Sequence, residues 1–213
     1  MKITKIGHCC LLIEVSNLKI LTDPGAYSSG QNELTDIDVV LITHEHADHL
    51  HTESVQKIIA NNPNVQIFTN SGVGKKLDEL GIKYELLEGT ETREVSGVMI
   101  EAFDCQHEEI YQEIGRVQNT GYFIGGRLFY PGDSFGQLGK PVEVLALPIA
   151  GPWCRLVDAL DYCIQVKPKY AFPVHDGMIQ EDKLGPLHRV PAQVLANHDI
   201  EFVVLKVGEA RGF

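Results

Sequence analysis

Residues 37–49 read Ile-Asp-Val-Val-Leu-Ile-Thr-His-Glu-His-Ala-Asp-His, and this stretch decides the fold. Its first half is a continuous apolar, β-branched run, the pattern of a strand buried on both faces. Its second half places His44, His46, Asp48 and His49 within six positions, directly after that strand. Strand ends that open into loops are where a rigid scaffold presents chemistry. Side chains two apart in extended chain point the same way, so His44 and His46 can converge on one metal ion. Asp48 and His49 follow as the chain turns and address a neighbouring position. Imidazole and carboxylate are donors for zinc, and equally for iron or manganese. A polar loop that is His-rich by accident is the competing reading, and three histidines and an aspartate at this spacing argue against it.

Working outward, strands and helices alternate in both directions. KITKI, LLIEV and LKILTD read as strands, with Ser16-Asn17 at a tight turn and residues 24–35 as a loop. The basic, apolar start MKITKIGHCCLLIEV is interrupted by His8 and Glu14, which makes a first strand pair the better reading than a signal peptide. A helix capped by Thr52 runs to about Asn61 and stops at Pro63. QIFT is a strand, Ser71 to Leu80 a helix ended by Gly81, and KYELL a strand. GVMIEAFD, TGYFIGG and RLFYPGD form a second β-rich stretch. VEVLALPI is a buried strand, Val157 to Val166 a helix, YAFPVH a strand, Pro191 to Asn197 a last helix, and EFVVLKV closes the chain. Both halves pass from meander to β-α-β, which predicts a layered α/β fold with sheet on sheet and helices outside. At 213 residues, the chain fits one domain, 1–213.

Composition narrows the function. The formal charge is −11, which repels phosphate backbones and disfavours nucleic acid as a partner. No run of 18 apolar residues offers a membrane span. Five cysteines, an odd number with no CxxC pair, fit a reducing cytoplasm and small core residues, Cys9-Cys10 included.

A loop of six residues cannot complete two metal sites. Three further donors stand at predicted strand ends: His107 after GVMIEAFDCQ, Asp133 after RLFYPG, and His175 after YAFPV. Taken together, HxHxDH followed by His, Asp and His resembles the metallo-β-lactamase superfamily, over essentially the whole chain. Gly7-His8 and Asp23-Pro24 look like that superfamily's first strands and first motif. GHCC, LTDPG, LPIAGPW and VKPKYAFPVHDG look like its small branch of zinc-dependent hydrolases related to L-ascorbate-6-phosphate lactonase.

The resemblance implies a four-layer αββα sandwich of two mixed sheets with outer helices. It also implies one metal held by His44, His46 and His107, a second held by Asp48, His49 and His175, and Asp133 between them. The implied cofactor is a pair of zinc ions, with manganese or iron as alternatives. The implied reaction is attack of a metal-bridging hydroxide on a small ester, lactone or similar substrate. A phosphodiesterase or nuclease on the same site is an alternative, as is an iron-dependent oxidoreductase. For the proton to the leaving group, a metal-bound water, Asp48 and His8 all qualify, and His8 also reads as a substrate contact or a structural histidine. Asp23 reads either as a hydrogen-bond partner fixing a ligand tautomer or as a turn former before Pro24. Trp153 reads as lining the substrate mouth or as anchoring its loop. His51, His188 and His198 have no motif context. Specificity is expected in loops 27–36, 108–119 and 152–157. A small molecule is the expected partner, and self-association is left open.

Overall fold

In the computed structural model, which describes residues 1–213, two seven-stranded sheets lie face to face. The chain opens with an antiparallel meander, β1 (Lys2–Gly7), β2 (Cys10–Val15) and β3 (Leu18–Thr22). It then crosses over to β4 (Val39–Ile42), runs through α1 (Thr52–Asn61) to β5 (Gln66–Thr69), and through α2 (Ser71–Asp78) to β6 (Glu85–Leu86). β3 to β6 are parallel. The second sheet repeats the scheme. β7 (Thr92–Val95), β8 (Val98–Gln106), β9 (Gln118–Ile124) and β10 (Leu128–Tyr130) form the meander. β11 (Val144–Pro148), α3 (Leu156–Val166), β12 (Tyr170–Val174), α4 (Gly185–Ala196) and β13 (Glu201–Phe202) supply the parallel part. The predicted four-layer α/β architecture is the one observed.

Strand periodicity explains the layers. On β4, Val39 and Leu41 face the interface between the sheets, while Val40 and Ile42 face the helices. β11 does the same with Val144 and Ala146 against Leu145 and Leu147. Twenty-three buried residues fill the space between the sheets. Val55, Ile58, Val73 and Leu77 of α1 and α2 cover the outer face of the first sheet. Ala159, Leu160, Cys163 and Leu195 of α3 and α4 cover that of the second. Each valine, leucine or isoleucine among them contributes about 1.5–3 kcal/mol on burial.

Four expectations shift at the element ends. Residues 24–35 are not wholly irregular, because Gly30–Glu33 forms a 3-10 turn. Thr52 is the first helical residue of α1 rather than its cap, which is His51. The last helix, to which residues 191–197 are expected to belong, extends back to Gly185, and Pro191 lies buried inside it. Proline removes one intrahelical bond without stopping a helix whose neighbouring turns are packed, and Pro186 in the first turn is the start signal. Finally, EFVVLKV contributes only β13, and the chain closes with β14 (Ala210–Gly212), which pairs antiparallel with β1, Ile3 opposite Arg211.

Candidate metal centre

Every donor named from the sequence arrives at one edge of the sandwich. His8 follows β1, Asp23 follows β3, and residues 43–49 follow β4; His107, Asp133 and His175 follow β8, β10 and β12. Two close approaches make this edge possible. At Gly25 a Cβ would stand 1.7 Å from the Asp48 carbonyl oxygen, so only glycine lets the turn after Asp23-Pro24 lie against the loop after β4. At Gly132, whose φ is +66°, a Cβ would stand 2.3 Å from Asn119 Oδ1 and 2.9 Å from Thr43 Cβ.

Asp133 sits at the centre. Its Oδ1 is 3.1 Å from His49 Nε2, and its Oδ2 is 2.9 Å from His175 Nε2, 3.3 Å from His107 Nε2 and 3.7 Å from His44 Nε2. Asp48 Oδ2 lies 3.4 Å from His175 Nε2 and 3.9 Å from His49 Nε2. His44, His46, His107 and Asp133 bring donor atoms within 4.8 Å of one another. The second group at that spacing is His8, Cys9, His49 and His175. The sequence pattern alone assigns Cys9 to the core. Its adjacency to His8 was the signal that could have placed it here.

The far side of each imidazole settles what its near side can do. His49 Nδ1 donates to Asp23 Oδ2 at 2.7 Å, His107 Nδ1 to the Glu108 carbonyl at 2.6 Å, and His175 Nδ1 to the Ala150 carbonyl at 2.6 Å. The Thr43 hydroxyl donates to Asp23 Oδ2 at 2.8 Å, so its oxygen accepts from His44 Nδ1 at 3.0 Å. In each ring Nδ1 thus carries a proton, and Nε2 is the nitrogen that faces the centre. All four Nε2 atoms, together with Asp133 Oδ1, are buried with no hydrogen-bond partner. Buried polar atoms are almost always paired, so five orphans converging on one place fit bound cations. Of the two readings of Asp23, the hydrogen-bond partner is the one observed. Its carboxylate also accepts from Tyr130 OH at 2.6 Å and from the Thr43 backbone N–H at 2.8 Å.

The remaining predicted residues divide. His8 is buried; its Nε2 lies 3.2 Å from Asp48 Oδ2, and its Nδ1 accepts the Gly177 N–H at 3.0 Å. It therefore braces Asp48. Trp153 donates its indole N–H to Asp133 Oδ2 at 3.0 Å and meets the rings of His107 and His175 edge-on. No sequence signal marked that bond. His51 and His198 stay away from the centre, whereas His188 approaches Asp176 Oδ2 at 3.4 Å. Asp176 and Lys5 form a buried ion pair at 2.6 Å, which ties β1 to the segment after β12. A cleft of about 1270 Å³ opens beside His8, between Tyr27, Ile179 and Val207.

Electrostatics follow from this crowding. Burial works against the charge of Asp133, yet His49, His175 and His44 hold its carboxyl well below the usual carboxylate range. Burial depresses His44 strongly, with His49 adding to it. Burial likewise opposes protonation of His175, but Asp133 and Cys9 outweigh it and raise the imidazole to about 11. Burial resists ionisation of Cys9, and His8, His49 and His175 overcome it, bringing the thiol down to about 6.

Two facing mixed sheets with a histidine-aspartate centre at one edge define a protein of the metallo-β-lactamase fold. Residues 2–175 match the family model described as beta-lactamase superfamily domain, and the chain belongs to that family. Protein Rv0786c of Mycobacterium tuberculosis is 30% identical over 190 residues, covering 87% of this chain and 88% of that protein. A metal-dependent hydrolase of Archaeoglobus fulgidus is 29% identical over 237 residues, covering 100% and 99%. Among solved structures, a proposed metal-dependent hydrolase of Parabacteroides distasonis superposes with a TM-score of 0.77 at 24% identity, covering 96% and 93%. No helix is long and apolar enough to cross a membrane.

Proposed function

We propose that this metal-dependent hydrolase holds two zinc ions and cleaves a small ester, lactone or related carbonyl substrate. The observation that carries the reading is the convergence of four unpartnered imidazole nitrogens and one carboxylate oxygen, all buried. His44, His46 and His107 would hold one ion, Asp48, His49 and His175 the other, and Asp133 would join them. A pair of divalent ions supplies Lewis acidity and a water whose pKa is lowered to about 7.

The chain's own groups then have distinct tasks. Asp23, Thr43 and the Glu108 and Ala150 carbonyls keep the imidazole lone pairs aimed inward. Trp153 occupies one lone pair of Asp133 Oδ2 and so limits how that carboxylate can turn. Asp48 differs from Asp133 in reaching solvent, its side chain 18% exposed against 2%. His8 Nε2–H donates to Asp48 at 3.2 Å, and we read this pair, or a metal-bound water, as the route by which a proton would reach a leaving alkoxide. The net charge of −11 supports a small carbonyl substrate over a phosphodiester polymer.

The test is metal analysis of the purified protein beside a panel of lactones, esters and phosphodiesters. Zinc near two per chain with lactone or ester turnover supports the reading. The same donors suit iron, and iron with no hydrolysis of any class would replace it.

A further inference from the structure

We infer that Cys9 is a metal ligand, giving the second metal position a sulfur donor beside His49 and His175. This rests on the two-metal reading above and extends it to a residue outside the six-donor scheme. The donor atoms of His8, Cys9, His49 and His175 all lie within 4.8 Å of one another. His49 Nε2 and His175 Nε2 are buried and unpartnered. Both ring nitrogens of His8 are already engaged, one by Asp48 and one by the Gly177 N–H, so His8 is the weakest donor of the four. The Cys9 thiol is the remaining donor beside His49 and His175.

The backbone keeps it there. The Cys9 carbonyl accepts from Thr22 Oγ1 at 2.9 Å, and Tyr130 OH, which donates to Asp23, lies 2.8 Å from it, so the backbone here is held on two sides. Its neighbour Cys10 faces the other way, into the apolar layer under α1 and α2. On ligation the thiol proton leaves to solvent and a sulfur lone pair forms the bond to the metal. Thiolate is a soft donor that favours zinc over magnesium or manganese. The two positions therefore differ: one has only nitrogen and oxygen donors, and the other also has sulfur.

Cobalt reports the difference without any turnover. Protein stripped with a chelator and reloaded with two equivalents of Co2+ should show visible ligand-field bands and a near-ultraviolet sulfur-to-cobalt charge-transfer band. The charge-transfer band should persist in Cys10→Ala and vanish in Cys9→Ser and Cys9→Ala. Visible bands alone in the unsubstituted protein would overturn the assignment of Cys9 while leaving the metal centre standing. A charge-transfer band that survives both Cys9 variants would overturn it too. Absence of both kinds of band would sink the metal centre and Cys9 together. Should the Cys9 variants fail to fold, zinc X-ray absorption on the unsubstituted protein decides: a sulfur neighbour is expected, and a shell of nitrogen and oxygen only contradicts the inference.

Discussion

At the scale of single residues, the centre is organised by buried partners that stand behind its donor atoms. Asp23 takes hydrogen bonds from His49, Thr43 and Tyr130, so Asp23→Ala should release the His49 tautomer. We expect metal affinity to fall about 10–100-fold, the usual effect of losing such a partner, measured by calorimetry on stripped protein. An unchanged affinity would remove Asp23 from the account. Trp153, the single tryptophan, donates to Asp133. Its emission should therefore change saturably as metal is added, and a flat titration would contradict that placement. The pH dependence has a definite sign. His175 is raised to about 11 and His49 is raised well above its ordinary value, both by Asp133 and Cys9 against an opposing burial. Metal must displace those protons, so affinity should rise with pH between 6 and 8, about tenfold per unit for each proton lost. Affinity that falls as pH rises would show that the imidazoles are not the ligands.

At the scale of elements, strands carried more legible signal than their junctions did. IDVVLIT was readable because a two-faced strand is apolar at every position, and β4 is buried throughout. Asp133 and His175 were readable because each follows such a run, and His107 because it follows the alternating strand β8. β14 was not: Ala-Arg-Gly is exposed, has no alternation, and is a strand only because β1 offers an edge. The Trp153–Asp133 bond and the place of Cys9 were hidden for another reason. Both depend on how loops from different sheets meet, which no local pattern encodes. The buried Lys5–Asp176 pair is of the same kind, joining β1 of one sheet to the loop after β12 of the other. Lys5→Ala would leave the carboxylate buried without its partner. We expect a loss of about 3–5 kcal/mol in denaturant unfolding. A loss below about 1 kcal/mol would mean that water or His188 satisfies Asp176 instead.

At the scale of the whole molecule, two similar sheets each bring parallel strand ends to one edge, and the donors divide between them. His44, His46, Asp48 and His49 come from the first sheet, and His107, Asp133 and His175 from the second. The centre can exist only when the sheets are packed, so metal binding and folding should be coupled, and stripping should lower the thermal midpoint. Equal midpoints with and without metal would contradict that coupling. The central claim is that these seven residues form a two-metal hydrolytic centre. Its most direct measurement is metal content per chain, read in parallel with lactone or ester hydrolysis, for the unsubstituted protein and Asp133→Asn. The account predicts about two zinc ions with turnover in the first, and loss of metal and of turnover together in the second. Full metal and unchanged turnover in Asp133→Asn, or turnover that survives complete chelation, would contradict it.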